Sequence, residues 1–184
     1  MKLIILDRDG VINEDSDDFI KSPEEWHAIP DSLNAIAALN KAGFTVIVAS
    51  NQSGIGRGYF STDALNKINQ KMINELAKKN GTIKKIYFCP HKPEDHCDCR
   101  KPKIKMFKNI ENDFQIDLKE TISIGDSYRD YEAAKEIGSR FILVLTGKGI
   151  QTLDEHPELK YEITICKDLS DAVNYILGFK CQGQ

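Results

Sequence analysis

Two aspartates, Asp7 and Asp9, lie two positions apart directly after the apolar residues 2–6. Carboxylates this close repel each other unless a cation or a shared proton relieves them. Asp126 follows another apolar run and could complete an oxygen-only ligand set for a hard divalent ion such as Mg²⁺. One aspartate could then attack phosphorus to form an aspartyl-phosphate, and its neighbour could protonate the leaving oxygen and later deprotonate water. Because D-x-D is also a common loop pattern, this hypothesis depends on what lies at the other strand ends.

Three of the five cysteines fall close together, with histidines among them. The spacings Cys89-x-His91 and Cys97-x-Cys99 supply three thiolates and one imidazole, the tetrahedral ligand set of a structural zinc site. All four positions around the metal are then filled, so zinc is expected to fold this loop and not to take part in catalysis. His96 is a competing ligand, although the C-x-H spacing favours His91. The alternative is a loop of free or buried thiols.

Apolar periodicity places these residues on alternating strands and helices. Buried strands are predicted at residues 2–6, 44–49, 83–88, 120–124, 140–145 and about 162–166. Helices are predicted at residues 31–42, 62–79, about 103–113, about 130–137 and about 170–177, with Asp31 and Ser61 as N-caps of the first two. The alternation predicts a single α/β domain over residues 1–184 with a doubly wound, mainly parallel sheet.

Polar clusters follow the first four predicted strands. They are Asp7 with Asp9, then Ser50-Asn51-Gln52, then the cysteine-rich loop with Arg100 and Lys101, and finally Asp126. Ligands of open α/β sheets bind beyond the carboxyl ends of the strands. We therefore expect all four clusters to face one crevice.

Overall composition narrows the possible partners. The formal net charge of −3 gives no indication of nucleic-acid binding, which usually requires a basic surface. No run approaches the roughly 20 apolar residues that span a bilayer, and the N-terminal apolar run is too short for a signal peptide. We expect a cytoplasmic protein with no membrane partner. A monomer is favoured because no sustained apolar surface face is evident.

Four separated motifs resemble those of the haloacid dehalogenase (HAD) phosphatase superfamily. They are DRDGVIN, SNQ, the lysine of CRKP, and GDSYRD, in that order along the chain. More narrowly, the segments LDRDGVIN, SNQSGIGRGYFS and CPHKPEDHCDCRKP resemble the D-glycero-D-manno-heptose-1,7-bisphosphate 7-phosphatases and the related histidinol-phosphate phosphatases. The resemblance implies a HAD-like Rossmannoid fold. The short spans between motifs favour a capless member, whose pocket walls are expected to be the loops Asp15–Ile20, Ser53–Tyr59 and 91–100.

The resemblance also implies roles for individual residues. Asp7 is expected to be the nucleophile and Asp9 the general acid and base, while Ser50 and Lys101 hold the phosphoryl oxygens. Asp7, Asp126 and the main-chain carbonyl of Asp9 are expected to bind Mg²⁺. The residues expected to contact substrate are Arg8, Asp15, Asn51, Gln52, Ser53, Arg57 and Arg100. Zn²⁺ is expected at Cys89, His91, Cys97 and Cys99.

The expected reaction is hydrolysis of the C7 phosphate of a phosphorylated sugar, D-glycero-D-manno-heptose 1,7-bisphosphate, in the supply of activated heptose for surface glycans such as lipopolysaccharide. Histidinol-phosphate phosphatase activity is the main alternative. Two alternatives from other functional classes explain less of the sequence. A phospho-accepting signalling domain would need neither the second aspartate nor a zinc loop. A non-catalytic zinc-binding module would not need the acid cluster.

A few positions leave alternatives open at the sequence level. Many relatives carry Lys where this chain has Ser127, which puts the hydrogen bonding around the metal in question. Asp130 could support the metal or be an ordinary acid in the first turn of a helix. Trp26 is expected to pack or to lie at the surface, and Cys166 and Cys181 are expected to be structural or incidental.

Overall fold

A six-stranded parallel sheet forms the centre of the protein, in a computed structural model that describes residues 1–178. The strands are β1 (Lys2–Leu6), β2 (Phe44–Asn51), β3 (Lys85–Cys89), β4 (Ile122–Gly125), β5 (Arg140–Val144) and β6 (Thr164–Cys166). Their order is β3-β2-β1-β4-β5-β6, and every neighbouring pair is parallel. The predicted doubly wound α/β sheet is therefore confirmed. The chain reverses its direction of travel across the sheet between β1 and β4, which makes this the place where a ligand crevice is expected.

Eight α-helices connect and flank the strands within the described residues. They are α1 (Ser32–Lys41), α2 (Ser53–Gly56), α3 (Thr62–Ala77), α4 (Lys105–Phe114), α5 (Tyr128–Glu136), α6 (Gly149–Glu155), α7 (Leu159–Glu162) and α8 (Leu169–Ile176). None of the helices in residues 1–178 has the length and apolar character that crossing a membrane requires.

Alternate residues of β1 pack into two separate hydrophobic cores. Ile4 and Leu6 pack with α1, α3 and α8 on one face, whereas Leu3 and Ile5 pack with α4 and α5 on the other. Side chains of a strand point alternately to its two faces, so a strand covered on both sides must be apolar throughout. Trp26 is fully buried in the first core, as its packing prediction allows. The ends of β1 are thereby fixed on both faces, which holds Asp7 in place.

Element boundaries differ from the predictions where capping decides them. Ser61 caps α3 as predicted, because its hydroxyl accepts a hydrogen bond from the main-chain nitrogen of Ala64. Asp31 occupies the N-cap position of α1 but makes no capping bond. Helix α5 begins at Tyr128, two residues before the predicted start, because Ser127 and Asp130 cap its first turn reciprocally. Cys181 lies outside the described residues.

Candidate active site

Asp7 and Asp126 lie at the carboxyl ends of the adjacent strands β1 and β4, at the switch point of the sheet. The main-chain nitrogen of Asp7 continues the ladder by donating to the carbonyl of Ile124 at 2.9 Å. Gly10 then turns the chain with φ of +80°, and a Cβ atom there would lie 2.1 Å from Asp126 Oδ2. Only glycine combines this conformation with such a close approach. The turn after β1 therefore brings its backbone against the carboxylate from β4.

Three buried carboxylates converge at this point: Asp7, Asp126 and Asp130 offer oxygen atoms that all lie within 4.8 Å of one another. Burial, together with the charges of Asp130 and Asp9, raises the pKa of Asp7 to about 6 even though Lys101 opposes the change. Burial and the charges of Asp130 and Asp7 raise the pKa of Asp126 as well. Crowded carboxylates of this kind are relieved by a cation, and an all-oxygen donor set fits a hard ion such as Mg²⁺.

Lys101 lies against two of these acids. Its Nζ atom is 3.1 Å from Asp7 Oδ1 and 2.6 Å from Asp130 Oδ1, and it donates to the carbonyl of Ala49 at 2.6 Å. Burial alone would lower the pKa of Lys101, but Asp130 and Asp7 outweigh it and raise the pKa. The side chain of Asn51 holds the Lys101 backbone from both sides, accepting from its nitrogen at 3.0 Å and donating to its carbonyl at 3.1 Å. The end of β2 thus fixes the ammonium beside Asp7.

Asp9 points to a different set of partners. The guanidinium of Arg8 donates to both of its carboxylate oxygens, at 2.8 and 3.0 Å, and Asn13 and Gln52 donate at 2.9 and 2.7 Å. Burial alone would raise the pKa of Asp9, but Arg8 and these hydrogen bonds lower it. Gln52 also donates to the hydroxyl of Ser50 at 2.8 Å, so the DRDGVIN and SNQ motifs belong to one hydrogen-bond network.

The predicted contact between Arg8 and substrate has no counterpart in the structure. Arg8 is 1% exposed and lies outside the cavity, and its remaining hydrogen bonds go to Asn69 and Gln52. The sequence suggests a contact because Arg8 lies between two acids of the site. Successive side chains leave the backbone in different directions, however, and that of Arg8 turns into the interior.

Asp130 is a first-turn acid of α5, one of the two alternatives that the sequence leaves open, and it also contacts Lys101. Its Oδ2 atom accepts hydrogen bonds from the main-chain nitrogen and the hydroxyl of Ser127, which begins α5. Its Oδ1 atom faces Lys101. Burial alone would raise the pKa of Asp130, but Lys101 and Arg129 outweigh it and lower the pKa. Asp130 is therefore both the first-turn acid of a helix and the support of the lysine beside Asp7.

A cavity of about 310 Å³ opens above these acids. The predicted site residues that line it are Asp7, Asp9, Asp15, Ser50, Asn51, Gln52, Ser53, Arg57, Arg100 and Asp126. The predicted site residues omit the cations Arg129 and Lys148, which also line it, whereas Phe19 and Tyr59 line it from two of the predicted wall loops. The position of Arg129 inside the GDSYRD motif is a signal that could have identified it. No comparable motif marks Lys148, which follows β5.

The cysteine-rich loop gathers its four predicted ligands at one point. The sulfur of Cys89 lies 3.5 Å from that of Cys97 and 3.0 Å from that of Cys99, and His91 Nδ1 is 3.2 Å from Cys99 Sγ. His96 is not a member of this group. Three sulfurs and one ring nitrogen at mutual contact fit a tetrahedral zinc ion. The loop also carries Arg100, whose guanidinium donates to the carbonyl of His91 at 3.3 Å.

This sheet order, with an acid cluster at the ends of β1 and β4 and a lysine from the third motif, defines the class of HAD-like hydrolases. A family model described as HAD-hydrolase-like matches residues 98–172. The chain is 48% identical over 177 residues to the D-glycero-beta-D-manno-heptose-1,7-bisphosphate 7-phosphatase of Bordetella bronchiseptica, covering 96% of this chain and 98% of that protein. It is 50% identical over 155 residues to the enzyme of the same name from Pseudomonas putida, covering 84% of this chain and 89% of that one.

A solved structure agrees with these relatives. The crystal structure of D,D-heptose 1,7-bisphosphate phosphatase from B. bronchiseptica, complexed with magnesium and phosphate, matches with a TM-score of 0.93 and 47% identity over 97% of this chain and 99% of that one. The chain belongs to the D-glycero-D-manno-heptose-1,7-bisphosphate 7-phosphatase family of HAD-like hydrolases.

Proposed function

We propose that this protein is a Mg²⁺-dependent phosphatase that hydrolyses the C7 phosphate of D-glycero-D-manno-heptose 1,7-bisphosphate, in the synthesis of activated heptose for surface glycans. The observation that carries the proposal is the convergence of Asp7, Asp126 and Lys101 beneath a polar cavity in a chain 48% identical to enzymes of that name. The substrate is a small phosphorylated sugar, and the cavity of about 310 Å³ is at the lower end of the usual size of small-molecule sites.

In the first step, a carboxylate oxygen of Asp7 attacks the C7 phosphorus and the bond from phosphorus to the sugar oxygen breaks. Asp9 gives a proton to that departing oxygen, so it has to take up this proton when substrate binds, because Arg8 lowers its pKa in the free protein. The Lys101 ammonium, 3.1 Å from Asp7 Oδ1, keeps the nucleophile ionised and offsets charge on the phosphoryl oxygens. The hydroxyl of Ser50 donates to one of these oxygens.

In the second step, water attacks the aspartyl-phosphate on Asp7. Asp9, now a carboxylate, takes a proton from the water, and the bond between Asp7 and phosphorus breaks to release inorganic phosphate. Arg8 acts through Asp9, because its two hydrogen bonds fix the orientation of that carboxylate. Asn51 acts through Lys101 in the same way.

Both metals have residues that fit them. Asp7, Asp126 and the Asp9 main-chain carbonyl would hold Mg²⁺, which when bound supplies positive charge to the phosphoryl oxygens. Cys89, His91, Cys97 and Cys99 would hold Zn²⁺, which folds the loop that presents Arg100. We further propose one domain over residues 1–184, a cytoplasmic monomer, and no nucleic-acid partner, in keeping with the net charge of −3.

Phosphate release by the purified protein tests the proposal. With Mg²⁺ present, heptose 1,7-bisphosphate should lose one phosphate, and phosphorus NMR should show that the phosphate on C1 remains. Histidinol phosphate, assayed in parallel, should give a much lower kcat/KM. A clear preference for histidinol phosphate would refute the heptose assignment. Asp7→Asn, checked for an unchanged circular dichroism spectrum, should abolish turnover, and retained turnover would remove Asp7 as nucleophile.

A further inference from the structure

Asn69 is a buried polar side chain on the apolar face of α3. It is 8% exposed, while Leu65, Ile68 and Met72 on the same face are 0–1% exposed. Residues three and four apart on a helix share a face, so apolar periodicity alone would place an apolar side chain at this position. Asn69 instead accepts a hydrogen bond at 3.2 Å from Nη1 of Arg8, which lies 61 positions earlier in the chain. Burying a polar group is costly unless it is bonded, so this hydrogen bond explains why an amide is tolerated here.

The guanidinium of Arg8 connects α3 to the active site. Arg8 is 1% exposed, and the side chains of Asp9, Gln52 and Asn69 accept its hydrogen bonds. Its Nε and Nη2 atoms donate to Asp9, whereas its Nη1 atom donates to Asn69. A guanidinium is planar and rigid, so an acceptor that fixes Nη1 also fixes the directions in which Nε and Nη2 point. Asn69 therefore helps to set the orientation of the group that holds Asp9.

The two carboxylate oxygens of Asp9 have different surroundings. Oδ1 accepts from Arg8 Nε at 3.1 Å, from Arg8 Nη2 at 2.8 Å and from Asn13 at 2.9 Å. Oδ2 accepts from Arg8 Nη2 at 3.0 Å and from Gln52, which lines the cavity, at 2.7 Å. A carboxylate oxygen has about two lone pairs, so the three donors occupy Oδ1 fully and Oδ2 is the oxygen that can exchange a proton with substrate. Its direction depends on how Arg8 holds Oδ1.

Helix α3 has a fixed position relative to β1 and to the segment that precedes α1. The ammonium of Lys71, two residues after Asn69, donates to the carbonyls of Pro23 and Trp26, both at 2.8 Å. The apolar face of α3 packs in the same core as Leu6, the residue that precedes the catalytic loop. The amide of Asn69 is therefore presented to Arg8 at a defined place, which a mobile surface helix could not provide.

We propose that Asn69 is a positioning residue for proton transfer to the leaving group, acting through Arg8 on the carboxylate of Asp9. This inference rests on the proposed function, in which the proton moves from Asp9 to the sugar oxygen as the bond from that oxygen to phosphorus breaks and Asp7 takes the phosphoryl group. A sugar alkoxide is strongly basic and needs this proton, whereas p-nitrophenolate is weakly basic and leaves without one. Loss of the Asn69 acceptor should therefore slow the release of a sugar and not that of p-nitrophenolate.

The test compares kcat/KM for heptose 1,7-bisphosphate and for p-nitrophenyl phosphate in the Mg²⁺-loaded protein. This ratio covers the steps up to release of the alcohol, whereas kcat also includes hydrolysis of the aspartyl-phosphate, which is the same for both substrates. Asn69→Leu keeps the size of the side chain and removes the acceptor. It should lower kcat/KM for the heptose about 10-fold or more, the usual effect of losing a hydrogen bond to a charged group, and leave kcat/KM for p-nitrophenyl phosphate nearly unchanged. An equal change in both values, or none, would overturn the inference.

Two control variants separate this role from a purely structural one. Leu76→Ala removes a buried apolar side chain two turns further along α3, so it should lower stability without changing the preference between the two substrates. Asn69→Asp keeps an acceptor oxygen at the same position and should restore most of the heptose kcat/KM. If Leu76→Ala alters the preference as Asn69→Leu does, the effect comes from a loosened helix and the inference is wrong. If thermal melting shows that Asn69→Leu is unfolded, Asn69→Ala replaces it with the same expected result.

A second pair of substrates keeps the inference independent of the sugar. If the wild-type protein does not hydrolyse heptose 1,7-bisphosphate, the proposed function fails, and phenyl phosphate then replaces the heptose in the comparison. Phenolate is more basic than p-nitrophenolate, so its departure still benefits from a proton. Asn69→Leu should lower kcat/KM for phenyl phosphate more than for p-nitrophenyl phosphate. An equal decrease for the two aryl phosphates would refute the role of Asn69.

Discussion

Replacing Lys101 by methionine removes the ammonium that lies between Asp7 and Asp130. The substitution keeps a side chain of similar length but removes the charge from a position that is 3% exposed. Asp7 and Asp130, at 3.1 and 2.6 Å, then lose their closest cation. Since Lys101 opposes the effect of burial on Asp7, the pKa of Asp7 should rise further above about 6. At neutral pH a larger share of the nucleophile is then protonated and cannot attack.

Two magnitudes follow from this geometry. Breaking a buried ion pair by removing one partner costs about 3–5 kcal/mol of stability, because the remaining charge is left uncompensated. Protonation of Asp7 or of Asp130 would recover part of this cost, so we expect about 3 kcal/mol at neutral pH and less at pH 5. Loss of one preorganised electrostatic group lowers kcat by about 10²–10³. The fall in kcat should be larger than any change in KM, because the charge of the phosphoryl group develops in the transition state.

Kinetics with saturating Mg²⁺ and urea unfolding in its absence measure these two effects separately. Lys103→Met is the matched control, because Lys103 is two residues away and contacts only exposed groups, with its Nζ 3.5 Å from Asp98 Oδ1. The Lys103→Met variant should have the same kcat and stability as the wild type within experimental scatter. If Lys101→Met retains kcat within about threefold of the wild type, the ammonium does not stabilise the transition state and the role assigned to Lys101 is wrong.

Three other predictions concern the metals and the backbone that supports them. Because burial raises the pKa of Asp7 to about 6, the metal-free protein should lose stability as pH rises through 6. Mg²⁺ should therefore raise Tm more at pH 8 than at pH 5. Equal increases in Tm at the two pH values would contradict this. Metal analysis should find about one zinc per chain. Cys99→Ser should lose this zinc together with most activity, and the control Cys166→Ser should keep both. A wild-type protein that is folded without zinc would exclude the site. Gly10→Ala should weaken Mg²⁺ binding at least about 10-fold in calorimetry. The control Gly43→Ala should affect stability alone, because Gly43 has a similar positive φ but no atom near the added Cβ. Equal Mg²⁺ affinities of the two variants would refute the close-approach explanation.

The sequence predicts most of the sheet because its strands are buried on both faces. An uninterrupted apolar run such as residues 2–6 can be accommodated only in the middle of such a sheet, and the polar residue after it marks the carboxyl end. Asp7, Ser50 and Asp126 are placed near one another by this reasoning, whereas Lys101 is predicted from the resemblance of CRKP to a family motif. Helix boundaries are less predictable, since the start of α5 depends on reciprocal bonds between Ser127 and Asp130, which apolar periodicity does not reveal.

Three arginines show why the remaining part of the site could not be predicted. Arg8, Arg100 and Arg129 all lie next to or near site residues along the sequence, and residue type alone does not show which of them faces the cavity. The structure separates them by the partners within reach: Asp9 and neighbouring amides occupy Arg8, a carbonyl partly occupies Arg100, and no acceptor within residues 1–178 is bonded to Arg129. An arginine is available to a ligand when burial removes water and the fold provides no carboxylate in bonding geometry. Because these partners depend on which side chains the fold brings together, the sequence alone does not distinguish Arg129, which lines the cavity, from Arg8, which lies outside it.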